Sequence, residues 1–124
     1  MNRPAPLPQT DPAAVLTKAL VAAARLLGLR NRELAVVIGA SEASVSRLAS
    51  GRLIEPQTKE GELALLFLRL FRSLDALVGG DEHQARSWLH AQNTHLGGVP
   101  AERIRQVEGL VDVVQYLDSM RGRL

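Results

Sequence analysis

Cysteine is absent from this sequence of 124 residues, and aromatic side chains are limited to Phe67, Phe71, Trp88 and Tyr116. The lack of cysteine excludes a disulfide framework, a thiolate metal site and a cysteine nucleophile. With so few rings, the core must consist mainly of leucine, valine and alanine, a composition that favours helices. No β-branched run alternates cleanly with polar residues, so the sequence predicts helices and no strands.

Groups that carry catalysis are scarce as well. His83, His90 and His95 have no cysteine or clustered carboxylate beside them at the spacing of metal ligands. No serine lies in a nucleophile elbow, and Gly97-Gly98 lacks the lysine that follows the glycines of a phosphate-binding loop. We therefore predict a protein that is not an enzyme and that has no catalytic residue, metal or cofactor.

Long apolar runs are missing too. The N-terminus holds Pro4, Pro6, Pro8 and Pro12, with no apolar run of the signal-peptide kind. The most apolar stretch, residues 63–71, is far shorter than the ~20 residues that span a membrane. We expect a cytoplasmic protein with no membrane partner.

Charge is unevenly distributed along the chain. Residues 1–54 carry seven basic and three acidic side chains, a net charge of +4, whereas residues 55–124 carry eight and ten, a net charge of −2. A basic front half favours a polyanionic partner, although a split of this size can also arise by chance.

Prolines, glycines and capping residues divide the chain into four parts. Residues 1–11 predict a disordered, proline-rich tail, and residues 12–55 predict three helical segments. Residues 56–80 predict a long connecting and dimerisation helix, and residues 81–124 predict a second helical domain. The expected capping residues are Asp11, Asn31, Ser41, Thr58 and Asp81. The expected inner face of the last helix is Val107, Leu110, Val111, Val114 and Leu117.

Residues 31–50 carry the most informative pattern in the chain. Two short helices are joined by a turn at Gly39, where a positive φ favours glycine, and Ala35 is small where the helices cross. The side chains expected to face inward are Leu34, Ile38, Val45 and Leu48. This pattern resembles the helix-turn-helix of the Xre/Cro-type regulators, and a helical hairpin that serves only packing is the alternative.

The resemblance implies that helix 42–50 enters the major groove of DNA, with Arg47 as the best candidate to read a guanine. Arg30 and Arg52 are expected to contact phosphate groups. The residues expected to contact DNA are Asn31, Arg32, Ser41, Ala43, Ser44, Ser46, Arg47 and Arg52.

The stretch from Leu63 to Phe71 is apolar at every position except Arg69. A helix that is apolar nearly all round must be covered on more than one side. Helix-turn-helix proteins commonly bind palindromic sites as twofold dimers, so we expect a homodimer on a palindromic operator. Burial within a single chain is the alternative.

The back half carries a second recognisable pattern. Its motif residues, in chain order, are Ala85, Trp88-Leu89, Asn93, Leu96-Gly97-Gly98-Val99-Pro100, Val107-Glu108-Gly109, Val113-Val114 and Leu117. They resemble the C-terminal toxin-binding domain of the Xre/MbcA/ParS antitoxins over roughly residues 81–120. The chain as a whole therefore resembles a type II antitoxin of the RES–Xre class. The fold implied is all-α, an Xre/Cro-like helix-turn-helix bundle followed by a small helical toxin-binding domain.

This resemblance implies a toxin partner with a RES domain, which degrades NAD or transfers ADP-ribose. The antitoxin covers the active site of that toxin and represses the shared operon. The C-terminal end is the part that reaches the toxin, and the residues implied there are Asp118, Met120, Arg121, Arg123 and Leu124. Two alternatives stay open: a stand-alone transcriptional regulator without a toxin, and an interaction protein whose helix-turn-helix does not read DNA.

Overall fold

The computed structural model describes residues 11–122 of the chain, and there it consists of helices joined by short turns. The helices are α1 (Pro12–Leu26), α2 (Asn31–Ile38), α3 (Glu42–Ser46), a 3-10 helix (Arg47–Ser50), α4 (Lys59–Leu77), α5 (Glu82–His90), α6 (Pro100–Arg103) and α7 (Val107–Arg121). The one extended pairing in this region is an isolated bridge between Asn93 and Gly98. The prediction of an all-α fold is confirmed, and the predicted tail lies outside the described residues except for Asp11.

Four helices begin as their capping residues predict. The side-chain oxygens of Asp11, Ser41, Thr58 and Asp81 each accept a hydrogen bond from a backbone N–H in the first turn, at 3.0–3.1 Å. Each bond satisfies a donor that the helix itself leaves without a partner.

The prediction for Asn31 is wrong. Asn31 is already the first residue of α2, and Arg30 is the capping residue. The carboxylate of Glu33 accepts a hydrogen bond from the backbone N–H of Arg30 at 3.0 Å. A glutamate in the first turn therefore closes this helix end, as in the reciprocal half of a capping box.

The helix α4 forms the centre of a single continuous core. It packs against α1 and α2 on the side of the front half and against α7 on the side of the back half. Phe67, Leu70 and Leu74 are completely buried between them. Residues 56–80 were expected to form a connector, but α4 is the helix on which both halves are built.

Side chains of α5 also join the two halves. Arg86 donates hydrogen bonds to the carbonyl groups of Arg25 and Leu26 at the end of α1, at 3.1 and 2.8 Å. The ring Nε2 of His90 lies 3.0 Å from the carbonyl oxygen of Leu27. The last carbonyls of a helix have no partner within it, so α5 satisfies the C-terminus of α1.

The inner face of α7 includes Leu110, Val114 and Leu117 as predicted, but it is rotated relative to the predicted face. Val107, expected to be internal, is 59% exposed, and Val111 is half-buried, while Gly109 and Val113 face the core. A Cβ on Gly109 would lie 1.8 Å from the carbonyl oxygen of Arg103. The α6–α7 turn thus packs directly on the backbone of Gly109, and this close approach sets which face of α7 is inside.

Candidate DNA-binding and toxin-binding surfaces

The helices α2 and α3 form the predicted helix-turn-helix. Gly39 ends α2 with φ +72° in the left-handed region, and the chain turns there into α3. Val45 and Leu48 are buried, whereas Ala43, Ser46 and Arg47 are exposed. The packing of the inner side chains therefore presents small residues, Arg47 and the acidic Glu42 on the outer face. Small residues and an arginine suit a helix that enters a DNA groove, whereas Glu42 repels phosphate groups.

A small hydrogen-bond network orders the outer face of α3. The hydroxyl of Ser41 donates to Ser44 Oγ at 3.0 Å, and Arg47 Nη2 donates to the same oxygen at 3.2 Å. One N–H of Arg47 is therefore engaged by Ser44. The other N–H donors of the guanidinium stay available for a base edge.

A groove of about 320 Å³ lies between the end of α1, the start of α2 and α3. Asn31 and Ser46, two of the predicted DNA contacts, line it together with Arg25. Spacing alone does not decide whether Arg25 belongs to this surface, because it does not show that the last turn of α1 lies beside α3. The structure brings an exposed arginine to the same surface.

Arg52 is engaged within the chain. Its Nη2 lies 2.7 and 2.9 Å from the two carboxylate oxygens of Glu60, and its Nη1 donates to the carbonyl of Ser44 at 3.4 Å. Its side chain is 28% exposed. Arg52 thus ties the helix-turn-helix to the first turn of α4, and its predicted phosphate contact would have to share this ion pair.

The C-terminal end of α7 is fixed to α4 by Asp118. The hydroxyl of Ser73, which is fully buried, donates to Asp118 Oδ1 at 2.7 Å, and Arg69 forms an ion pair with the other carboxylate oxygen. The side chain of Asp118 is only 28% exposed. Asp118, which the resemblance implies at the toxin-binding end, is therefore part of the contact between α4 and α7, and its contact with a toxin stays a prediction.

The remaining residues of the predicted toxin-binding end differ in position. Met120 is half-buried, and Arg121 is exposed at the last position of α7. Arg123 and Leu124 lie outside the described residues. Of the predicted toxin contacts that the structure describes, Asp118 alone is held to α4 by a hydrogen bond and an ion pair.

Three rings that are distant in sequence stack on the surface of the back half. The rings of Trp88 and Tyr116 are 6.3 Å apart, and those of Tyr116 and His95 are 5.7 Å apart, with interplanar angles of 16° and 27°. Sequence reasoning treated Trp88 as a packing residue and gave no role to the other two rings. They come from α5, the following loop and α7, so no spacing signal joins them.

Within residues 11–122, no group of three or more histidine, aspartate or glutamate side chains is placed to hold a metal ion. No helix of this part of the chain combines the length and the apolar character that crossing a membrane needs.

Comparison with known proteins matches both halves to families. Residues 6–69 match the antitoxin Xre-like helix-turn-helix domain, and residues 73–123 match the antitoxin Xre/MbcA/ParS C-terminal toxin-binding domain. A chain in the crystal structure of the M. tuberculosis MbcT–MbcA toxin–antitoxin complex has the same fold, with a TM-score of 0.66 and 24% identity. The alignment covers 89% of this chain and 96% of that chain. No curated protein sequence matches this chain.

Proposed function

Because this chain belongs to the Xre-like antitoxin family, with a helix-turn-helix domain followed by an Xre/MbcA/ParS toxin-binding domain, we propose that it neutralises a RES-domain toxin and represses its own operon. The toxin would degrade NAD or transfer ADP-ribose, and the antitoxin would cover its active site. Both activities would be exerted in the cytoplasm.

The observation that carries the proposal is that one helix, α4, belongs to both domains and joins them through a shared core. The helix α4 contributes to both family domains, since their matches meet near residues 69 and 73. A toxin held by the back half is therefore attached rigidly to the helix-turn-helix. This arrangement suits a protein that binds a toxin and operator DNA with the same chain.

For operator binding, we assign base contacts to the outer face of α3 and phosphate contacts to the start of α2. Arg47 is the reader of a guanine, since a guanidinium matches the two acceptors of that base in the major groove. The accompanying residues are Asn31, Arg32, Ser41, Ala43, Ser44 and Ser46, with Arg52 as a phosphate contact that shares its ion pair with Glu60.

For toxin neutralisation, we assign the active contacts to the end of the chain beyond Asp118. Met120 and Arg121 stand next to the point where Asp118 is held, and Arg123 and Leu124 follow them. Arginine is suited to a cleft that binds the pyrophosphate of NAD, because its planar donors form paired hydrogen bonds with phosphate oxygens.

For the quaternary structure, we propose a homodimer on a palindromic operator. Most of the apolar stretch 63–71 is buried inside the single chain, but Leu65 remains 49% exposed on α4. Leu65→Asp should therefore shift the sedimentation coefficient at micromolar concentration toward that of a monomer, whereas Arg72→Ala should not. A wild-type protein that sediments as a monomer would contradict the dimer.

The test of neutralisation is co-expression with the RES-type protein encoded beside this gene. The wild-type antitoxin should restore growth and should be recovered with the toxin in a pull-down. Deletion of Arg121–Leu124 should abolish the growth rescue while leaving the melting curve and DNA binding unchanged, since these residues follow the last buried turn of α7.

Two outcomes would contradict the assignment. Full rescue by the truncated chain at normal expression levels would remove the terminal residues from the toxin contact. If the wild-type chain neither binds nor neutralises the toxin but still binds its upstream DNA, the chain acts as a stand-alone regulator.

A further inference from the structure

A cleft of about 800 Å³ separates the helix-turn-helix half from the toxin-binding half. Its front wall consists of the α1–α2 turn and the outer face of α2, from Gly28 to Val37. Its back wall consists of His90 and of the segment from Val99 to Arg105. The cleft opens beside the start of α2, where the proposed phosphate contacts lie.

Three exposed arginines line this cleft: Arg30 and Arg32 on the front wall and Arg105 on the back wall. Among the described residues, none of the three forms an ion pair. Two glutamates also line the cleft: Glu33, whose carboxylate accepts a hydrogen bond from the N–H of Arg30, and the exposed Glu102. The three arginines therefore leave the lining with a net charge of +1. Like charges around one cleft repel one another, and a polyanion between them would remove that repulsion.

Three of the five other back-half arginines that the structure describes are ion-paired. Arg69, Arg86 and Arg103 each form an ion pair with a carboxylate from the same half. Arg105 differs from these three, because its unpaired guanidinium faces the basic wall of the front half. Arg30, Arg32 and Arg105 together are therefore complementary to an anionic partner that is bound by the helix-turn-helix half.

We propose that this cleft holds the sugar-phosphate backbone of the bound DNA, and that Arg105 supplies a phosphate contact from the toxin-binding half. The inference rests on the proposed DNA binding and extends its footprint across both halves. Arginine forms strong, paired hydrogen bonds with phosphate oxygens, and such contacts raise affinity for every sequence alike.

The test is a titration of the full-length chain against two labelled duplexes, one from the region upstream of its gene and one of unrelated sequence, between 50 and 200 mM salt. Loss of one phosphate contact lowers the slope of log affinity against log salt by about 0.9. Between 50 and 200 mM salt, wild type should therefore lose ~3.5-fold more affinity than Arg105→Ala for each bound chain. Both duplexes should be affected equally, since phosphates carry no sequence information.

Arg72→Ala is the matched control, because Arg72 is an exposed arginine of α4 that does not line the cleft. Arg72→Ala should keep the wild-type slope, and Arg32→Ala should lower the slope as Arg105→Ala does. An Arg105→Ala slope equal to that of wild type would overturn the inference while leaving DNA binding intact. No binding of either duplex by the wild-type chain at 50 mM salt would overturn both proposals.

A melting experiment with inorganic phosphate distinguishes a small-anion site from a DNA contact. In one outcome, millimolar phosphate raises the melting temperature of wild type but not of Arg105→Ala, while both proteins show the same slope of log DNA affinity against log salt. The cleft is then a site for a small anion. That result would overturn the assignment to DNA. Equal melting temperatures with a reduced slope for Arg105→Ala would support it.

Discussion

The two halves of this molecule share one core but use their charged side chains differently. Every ion pair among residues 11–122 involves at least one residue at or beyond position 52. Before that position, the cations Lys18, Arg25, Arg30, Arg32 and Arg47 are not ion-paired to any described residue. After it, four pairs join side chains within the back half.

This difference explains why net charge alone says little about partners. The two halves contain similar numbers of basic residues, seven and eight, yet only the front half leaves most of them without a carboxylate. Unpaired arginines produce the positive potential that attracts a polyanion. An arginine paired with a carboxylate contributes little to that potential, because the two charges cancel at a distance. Arg105 is one of the unpaired arginines of the back half, and it lies in the lining of the cleft between the two halves.

The largest expected loss of stability concerns two glycines, one in α4 and one in α7, that lie directly against the backbone of a neighbouring segment. Gly109→Ala would place a Cβ against the Arg103 carbonyl, and Gly61→Ala would place one 2.1 Å from the carbonyl oxygen of Glu55. Each should lower the free energy of unfolding by about 3 kcal/mol, because a rigid backbone must move. Urea unfolding followed by circular dichroism measures the loss.

Gly98→Ala provides the control for these variants, since its Cβ would meet Arg103 side-chain atoms at 3.9 Å and no backbone. It should change stability by less than about 1 kcal/mol. Because the core is continuous, Gly61→Ala and Gly109→Ala should each shift one common transition. Separate transitions for the two halves would contradict the shared core.

These glycines also mark the limit of what the sequence predicts. The capping oxygens of Asp11, Ser41, Thr58 and Asp81 act within one helical turn, so their roles follow from local spacing. The closeness of Gly109 to Arg103 is a tertiary contact between helices, and for want of it Val107 and Val111 were wrongly assigned to the inner face of α7. The helix pattern was thus predictable, but the rotation of α7 was not.

The candidate sites divide in the same way. The outer face of α3 was predictable, because the inward positions of a short helix leave its other positions exposed. The ion pair of Arg52 with Glu60 and the burial of Asp118 on Ser73 were not, since each joins elements whose contact depends on the fold. The positions of Arg25 in the groove and of Arg105 in the cleft depend on the fold for the same reason.

The second prediction tests the unpaired cations of the front half. Arg47→Ala should weaken binding to the upstream duplex by about 2 kcal/mol and reduce the preference over unrelated sequence, because a bidentate base contact is lost. Competition gel shifts measure both quantities. Arg72→Ala in the back half should leave the preference intact, and an equal loss in both variants would contradict a specific role for Arg47.

The third prediction concerns the paired charges of the back half. Ser73→Ala should destabilise the protein by about 1 kcal/mol, because the hydrogen bond between the buried hydroxyl and Asp118 disappears. Arg69→Ala should cost less than about 0.5 kcal/mol, since its side chain is 60% exposed and water screens the pair. Thermal denaturation of both variants shows which substitution lowers stability more. A larger loss of stability for Arg69→Ala would contradict the larger contribution assigned to the Ser73 hydrogen bond.

The smallest expected effect compares two glutamates on the first turn of α4. Glu62 pairs with Lys59 in full exposure, whereas Glu60 holds Arg52 through both carboxylate oxygens in a half-buried setting. Glu62→Gln should change the free energy of unfolding by no more than about 0.5 kcal/mol, and salt should remove the change. Glu60→Gln should cost about 1 kcal/mol and keep most of that loss in high salt, because two charge-assisted hydrogen bonds weaken together.

Urea titrations at 0.05 and 0.5 M sodium chloride separate the two cases. Equal and equally salt-sensitive losses would show that the Arg52–Glu60 pair behaves as a surface pair, and would leave Arg52 free to contact phosphate.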